Sequence, residues 1–189
     1  EIFTDENGDY NIEIPFQNNI TIEATKEKHS IFSVTYQDRE LEEIQEKAFN
    51  MGIKFLDDLV EEQENQTVIK LKKFYFDKGQ SIITPEIAQE LDKVVDVMTR
   101  FPQLQLRVES HTDSRGGSSA NFTLSQKRAD AIKKYLLQEG VPAGSILYSI
   151  GYGEEKLLNG CKNGVFCLDM LHSKNERSLI VVLNYNLLY

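Results

Sequence analysis

One stretch of the chain, in which a strand pattern passes through a polar loop into a helix pattern, constrains the fold most strongly. Residues 104–109 alternate apolar and polar side chains, which is typical of a strand with one buried face. Ser110 to Asp113 end this strand, and the loop 114–119 has turn-forming residues. From about Asn121 the apolar spacing becomes helical, and Gly140 predicts where the helix stops. The stretch therefore predicts a strand–loop–helix unit.

Two charged residues in this unit are candidates for binding a ligand. Arg128 lies four residues after Leu124, so it falls in the apolar stripe of the predicted helix. A guanidinium that faces a core needs an anion, either from the protein or from a ligand. Asp113 leaves the strand where Arg128 could approach it. Either the two pair with each other, or they form a receptor in which Asp113 holds an ammonium and Arg128 a carboxylate, as at the free end of an amino acid.

Five short motifs carry a resemblance to a known family. They are Phe-Tyr-Phe-Asp at 74–77, Ser-His-Thr-Asp at 110–113, Asn121 with Leu-Ser-Gln-Lys-Arg-Ala at 124–129, Gly-Tyr-Gly-Glu at 151–154 and Asn-Glu-Arg at 175–177. In this order they resemble the OmpA-like C-terminal domain, the peptidoglycan-binding module also found in Pal lipoproteins and in MotB. The resemblance covers about residues 68–183. It implies a non-catalytic domain without a cofactor, which grips the zwitterionic end of diaminopimelate in the peptidoglycan stem peptide.

The resemblance also implies which residues bind the ligand. Asp113 and Arg128 match the essential Asp and Arg of the family. Three further positions match its supporting contacts, namely Asp77, Asn121 and Arg177. The family usually has Arg where this chain has Glu176. Because neighbouring side chains on a strand face opposite ways, we expect Glu176 to point to solvent; if it faced the pocket, it would weaken the binding of a carboxylate or pair with Arg177.

The remainder of residues 67–189 alternates strand and helix patterns. Val68 to Phe76 predicts the first strand, and Thr84-Pro85-Glu86 predicts the start of a helix. Further strands are predicted at 146–150 and 178–183. The expected fold is an α/β two-layer sandwich, βαβαβ-like, in which helices cover one face of a mixed sheet and the ligand loops gather at one end.

Charge divides the chain near residue 66, since residues 1–66 carry a net charge of −12 and residues 67–189 carry +3. A net acidic chain without a basic stripe argues against nucleic acid as a partner. No apolar run approaches the ~20 residues of a membrane span. The chain starts at Glu1 without a signal peptide, so we expect an export signal or lipid anchor upstream, with the domain at the periplasmic face of the outer membrane.

The acidic part is expected to contain two segments. Residues 1–37 are predicted to form a β-hairpin from the alternating stretches 10–16 and 20–24, and they resemble the last strands of a carboxypeptidase-regulatory-like β-domain. A lone hairpin is marginally stable, so it should pack on the later domain or belong to a β-sandwich that starts upstream. Residues 38–66 have helical spacing and many Glu residues, which predicts a helical linker; the alternative is a partner-binding helix.

Cys161 and Cys167 lie in a predicted insert between the third and fourth strands of the main domain. Two cysteines this close together predict a local disulfide in an oxidising compartment, and the alternative is a metal site with His172. Similar inserts occur in OmpA-like domains of the Bacteroidota, where such a domain often follows a regulatory-like β-module, as in PorE-like anchors of the type IX secretion system. Envelope or secretion-system proteins are therefore the expected protein partners.

The stretch 110–113 also contains residue types found in catalytic sites. Ser110, His111 and Asp113 have the functional groups of a hydrolase triad, but adjacent residues of a strand point to alternate faces and cannot converge. No nucleophile elbow, phosphate loop or paired-His motif occurs in the sequence. The sequence therefore predicts a binding protein rather than an enzyme, with His111 in a structural role. The alternative is an interaction scaffold of the same fold that has lost the ligand because of Glu176.

Overall fold

The chain divides into two units, Glu1–Ala24 with Phe32–Gly52 and Thr25–Ile31 with Ile53–Tyr189. The structure, a computed structural model, describes residues 2–6, 8–11, 19–26, 29–37 and 55–187. Within these ranges no helix is both long enough and apolar enough to cross a membrane.

The described part of the first unit contains an antiparallel pair of strands, β1 (Asn19–Ala24) and β2 (Phe32–Gln37). Thr21 and Thr35 face each other across the pair, with their hydroxyl oxygens 2.8 Å apart. An N-terminal hairpin is thus confirmed, and it is formed by β1 and β2. The predicted strand at 10–16 lies mostly outside the described residues, which omit 12–18.

The second unit contains a five-stranded mixed sheet and three helices. The strands are β3 (Val60–Gln63), β4 (Gln66–Ile69), β5 (Leu106–His111), β6 (Ile146–Gly153) and β7 (Arg177–Val182). Their order in the sheet is β3-β4-β7-β5-β6; β5 and β6 run parallel and the other neighbours antiparallel. The helices are α1 (Pro85–Arg100), α2 (Ser118–Gln138) and α3 (Asp169–His172). Short 3-10 turns occupy Leu56–Asp58, Ala143–Ser145 and Tyr185–Leu187.

The core lies between α1 and α2 on one side and one face of the sheet on the other. Helix α1 starts as predicted, with Thr84 Oγ1 accepting a hydrogen bond from the Ile87 amide at 3.4 Å and Pro85 in the first turn. The apolar side chains of α1 pack on those of the sheet. Fully buried residues include Leu91 and Val94 of the helix, and Leu106, Val108 and Ile180 of the sheet. Burial of this apolar surface is the main force that holds the helices on the sheet. The predicted two-layer α/β architecture is confirmed.

The predicted boundaries differ from the structure near the start of the sheet. The segment from Val68 to Phe76 was expected to be one strand, but β4 ends at Ile69 and no strand is assigned to 70–76. The helical linker expected at 38–66 is wrong where the structure describes it, because Val60–Gln63 is a strand of the sheet. This strand lies at the edge of the sheet, where side chains are exposed and glutamates are tolerated. Residues 38–54 of the expected linker lie outside the described residues.

Candidate functional site

Asp113 follows the carboxyl end of β5 and is largely buried. Its carboxylate is held by Arg115, whose backbone amide donates to Oδ1 at 2.8 Å and whose Nε donates to Oδ2 at 2.6 Å. Arg115 Nη1 also donates to Asp169 Oδ1 at 2.8 Å. The hydrogen bond to Asp113 raises the pKa of Arg115, so this guanidinium stays charged. The carboxylate that was predicted to hold a ligand ammonium therefore already binds a cation of the protein.

Arg128 lies in α2 with only 3% of its side chain exposed. Its Nε donates to the Gln80 carbonyl at 2.9 Å and its Nη2 to the Asp77 carbonyl at 3.2 Å. Its Nη1 lies 3.4 Å from Glu176 Oε1, and the guanidinium stacks 5.1 Å from the Phe76 ring centroid. Because each nitrogen has a partner, the buried guanidinium is fixed in place.

The expectation that Glu176 points to solvent is wrong. Strand β7 begins at Arg177, so Glu176 precedes the strand and the alternation of side chains does not apply to it. Its carboxylate turns to Arg128, and 29% of its side chain stays exposed. This Glu is the protein anion that a guanidinium directed towards the core requires.

Asp113 and Arg128 do not pair with each other in the part of the chain that the structure describes. Each has a separate partner of opposite charge, Arg115 for Asp113 and Glu176 for Arg128. The partners differ from the two central groups in exposure: 51% of the Arg115 side chain is accessible to solvent, against 8% for Asp113. The site thus consists of two buried, fixed charges, each neutralised by a more accessible side chain.

Asn121 connects this site to the start of α2. Its Nδ2 donates to the Asp113 carbonyl at 3.3 Å and to Glu154 Oε2 at 2.5 Å. Glu154 also accepts hydrogen bonds from Ser118 at 2.7 Å and from Asn163 at 2.5 Å. The side chain of Asn121 is therefore occupied in holding the loop that carries Asp113.

Two glycines of β6 allow α2 to lie close to the sheet. A Cβ added at Gly151 would lie 2.1 Å from the Gln126 backbone nitrogen, and one added at Gly153 would lie 2.9 Å from that of Phe122. Gly153 also has a φ of +55°, which side-chain-bearing residues rarely adopt. The motif Gly-Tyr-Gly-Glu thus sets the distance between the helix and the strand, and so the position of Arg128.

Of the two remaining predicted residues, Asp77 contacts Arg128, whereas Arg177 is paired with another residue. Arg177 is buried, and its Nε and Nη2 donate to the two carboxylate oxygens of Glu64 at 2.5 and 2.7 Å. It also donates to the carbonyls of Asn175 and Lys156. The side chain of Asp77 is exposed, and it is the backbone carbonyl of this residue that reaches Arg128. The structure therefore brings Asp77 to Arg128, whereas the Arg177 guanidinium is occupied by Glu64.

The predicted disulfide between Cys161 and Cys167 is present, with Cα atoms 5.9 Å apart. Because both sulfurs are bonded to each other, neither is a thiolate that could bind a metal with His172. The Cys161 carbonyl accepts a hydrogen bond from the Ser114 hydroxyl at 2.5 Å. The disulfide-closed insert is therefore attached to the loop that carries Asp113.

Three titratable side chains lie in a row on the sheet face opposite the helices, and this row was not predicted from the sequence. Arg107 Nε is 2.7 Å from Glu109 Oε1, and Glu109 Oε2 is 3.5 Å from His111 Nε2. Burial lowers the pKa of His111 below its ordinary value, so the imidazole is neutral at pH 7. Burial alone would raise the pKa of Glu109, but its contacts with His111 and Arg107 outweigh this and lower it. The alternation of these three residues along a buried strand was the available signal.

The groups of a hydrolase triad do not meet. The Ser110 hydroxyl accepts a hydrogen bond from the Ser178 hydroxyl at 3.1 Å, His111 stacks on Tyr152 with ring centroids 5.1 Å apart, and the Asp113 carboxylate binds Arg115. A nucleophile, base and orienting acid must be in mutual hydrogen-bond reach. These contacts give no catalytic geometry, and the structural role of His111 stays a prediction.

Comparison with known proteins places this chain in a family. A family model described as the OmpA family matches residues 75–165. The peptidoglycan-associated lipoprotein of Buchnera aphidicola is 31% identical over 140 residues, which are 72% of this chain and 77% of that protein. The lipoprotein of the same name from Brucella melitensis is 32% identical over 110 residues, 58% of this chain and 62% of the relative. The chain thus spans less than two thirds of the Brucella protein.

Solved structures have the same fold. The peptidoglycan-associated lipoprotein from Burkholderia pseudomallei superposes with a TM-score of 0.52 at 24% identity, over 60% of this chain and 91% of that one. A MotB-like protein from Desulfovibrio vulgaris superposes with a TM-score of 0.53 at 17% identity, over 67% of this chain and 80% of that one. The family is one of non-enzymatic structural proteins. From the family model and the extended match to the Buchnera protein, we conclude that this chain belongs to the OmpA family and has peptidoglycan-associated lipoproteins among its relatives.

Proposed function

We propose that this domain binds peptidoglycan non-covalently and anchors an outer-membrane or envelope complex to the cell wall. Several relatives are named peptidoglycan-associated lipoproteins, and another is outer membrane porin F of Pseudomonas fluorescens, 39% identical over 84 residues and matched over 25% of its length. These names support the proposed place at the periplasmic face of the outer membrane. Envelope or secretion-system proteins are the protein partners that we propose.

The proposed ligand is the diaminopimelate of the stem peptide, with Asp113 accepting its ammonium and Arg128 its carboxylate. One observation carries this proposal: each of these buried groups already holds a protein side chain with the charge of the corresponding ligand group. Arg115 is the cation on Asp113, and Glu176 is the carboxylate on Arg128. Because both partners are more exposed than the groups they neutralise, a ligand can replace them without moving the buried framework.

The other predicted residues take supporting roles in this proposal. Asn121 holds the Asp113 loop through the 3.3 Å hydrogen bond to its carbonyl, and Asp77 frames the floor of the pocket next to Arg128. Arg177 would contact the rest of the stem peptide only if Glu64 released part of its bidentate pair. We therefore expect a smaller contribution to binding from Arg177 than from Arg128.

Isothermal titration of a diaminopimelate-containing stem peptide, together with pull-down on purified sacculi, tests the proposal. We expect wild type to bind, and Asp113→Ala and Arg128→Lys to lose binding; Lys keeps the charge of Arg128 but not its forked donors. Lys127→Ala is the matched control, because Lys127 is an exposed cation of the same helix. Circular dichroism shows whether each variant is folded. Binding of sacculi by a folded Asp113→Ala protein at the wild-type level would overturn the assignment.

The ion pair between Glu176 and Arg128 supports a second candidate, an OmpA-fold scaffold that binds other proteins and no longer binds peptidoglycan. In that case Glu176 would block the guanidinium permanently. The two functions differ in one measurement: a scaffold would not bind sacculi as wild type, but would gain binding in Glu176→Arg. Binding by wild type itself would eliminate the scaffold.

A further inference from the structure

The pocket around Arg128 carries a carboxylate of its own. Glu176 Oε1 lies 3.4 Å from Arg128 Nη1, and the Nε and Nη2 of the same guanidinium donate to backbone carbonyls. Among the hydrogen-bond and ion-pair partners of Arg128 in the described part of the chain, Glu176 is the one side chain, and a ligand can replace it while the carbonyls of Asp77 and Gln80 stay in place. A ligand carboxylate that reached Arg128 would therefore lie next to Glu176, and two carboxylates this close repel each other.

The charges that contact each other at the site do not balance. Arg115 is shared by Asp113 and Asp169, with nitrogen–oxygen distances of 2.6 and 2.8 Å, and Arg128 is paired with Glu176. Two guanidinium groups thus face three carboxylates. A zwitterionic ligand end leaves this excess of negative charge unchanged, whereas a ligand end with a net charge of +1 neutralises it.

A carboxamide matches the pair of Arg128 and Glu176 better than a carboxylate does. Its carbonyl oxygen can accept a hydrogen bond from the guanidinium, and its NH2 group can donate to Glu176. A carboxylate has acceptors only, and it leaves Glu176 without a donor in a partly buried place. The ammonium on the same carbon is then free to take the place of the Arg115 cation at Asp113.

We propose that Glu176 makes this pocket selective for stem peptides whose diaminopimelate carries an amidated side-chain carboxyl, over those with the free acid. The selectivity depends on the proposed function, because it concerns the ligand of the same pocket. Glu176 acts as a specificity-determining residue: it repels the free acid and accepts a hydrogen bond from the amide.

Two synthetic stem peptides that differ only in this group, acid or amide, are titrated into three proteins by calorimetry. Wild type should bind the amide about tenfold more tightly than the acid, the ratio that one partly screened charge contact produces. Glu176→Gln should remove this preference, mainly by binding the acid more tightly. Glu155→Gln, which changes an exposed glutamate near the site, should keep the wild-type ratio.

The outcomes separate the selectivity from the function on which it depends. If wild type binds both peptides equally well, or prefers the acid, the selectivity is overturned while peptidoglycan binding stands. The selectivity is also overturned if Glu176→Gln keeps the full preference for the amide. If neither wild type nor Glu176→Gln binds either peptide, the proposed function falls and the selectivity falls with it. Because Glu176 is partly exposed and Gln has nearly the same shape, the variant is expected to fold.

Discussion

Arg177 and Glu64 form a bidentate ion pair between residues 113 positions apart in the sequence. Glu64 lies in the tight turn between β3 and β4, where it has a φ of +51°, and Arg177 opens β7. The pair therefore connects the edge hairpin of the sheet to the strand that leads out of the candidate site. Since Arg177 is buried, its charge needs a counter-charge, and Glu64 supplies it among the residues that the structure describes.

Replacing Glu64 by Ala is expected to destabilise the fold. Loss of one partner of a buried ion pair costs about 3–5 kcal/mol, and about 1–3 kcal/mol is expected here because Glu64 is partly exposed. Urea unfolding followed by circular dichroism measures the difference. Glu62→Ala, on the same hairpin but at a residue with no ion pair in the described part of the chain, should change the stability by less than about 0.5 kcal/mol. Equal effects of the two substitutions would mean that the pair does not stabilise the hairpin.

Gly151→Ala is expected to displace α2 and weaken ligand binding. The added Cβ would lie 2.1 Å from the backbone of Gln126, which is not free to move as a side chain is. Overpacking of this kind costs about 1–3 kcal/mol or more, and the shift of the helix would move Arg128. Gly144→Ala is the control, since its added Cβ meets no atom within 4 Å. Thermal denaturation and peptide titration of both variants test this; an unchanged melting temperature for Gly151→Ala would contradict the close approach.

Reduction of the disulfide is expected to loosen the insert and to lower affinity for the ligand. The bridge closes a short loop, for which about 2 kcal/mol of stabilisation is expected. The insert reaches the site through the bond from Ser114 to the Cys161 carbonyl and the pair of Arg115 with Asp169. Thermal melts and titrations with and without reductant measure both effects. A Cys161→Ser/Cys167→Ser variant should match reduced wild type and should not respond to reductant.

Stability is expected to fall as the pH is lowered from about 6.5, because His111 is buried in the neutral form. Burial lowers its folded-state pKa, so below the unfolded value of about 6.5 the unfolded chain binds a proton that the folded chain does not. The contribution is complete above that pH and is lost progressively down to the folded-state pKa. Urea unfolding between pH 5 and 8 measures the slope, at most about 1.4 kcal/mol per pH unit for one proton. His111→Asn should flatten it, and an identical slope in both proteins would refute this role.

Much of the local structure was predictable from short-range patterns. The strand at Leu106–His111, the cap at Thr84 and the end of α2 before Gly140 follow from spacing and turn chemistry within a few residues. The disulfide followed from two cysteines close together in the sequence. The edge strand Val60–Gln63 was missed because its glutamates, on an exposed edge, look like a solvated linker.

The partners of the charged residues were decided by the tertiary structure. The sequence alone determined that Arg128 would face inward and need an anion, because helical periodicity assigns each residue to a face. Only the packed sheet and helices brought Glu176 to Arg128 and Glu64 to Arg177, across 48 and 113 residues. Periodicity specifies which side of a helix or strand is buried. It carries no information on which distant charged residue will contact a charge on that side. That choice depends on the order of strands in the sheet and on the close contact of α2 with Gly151.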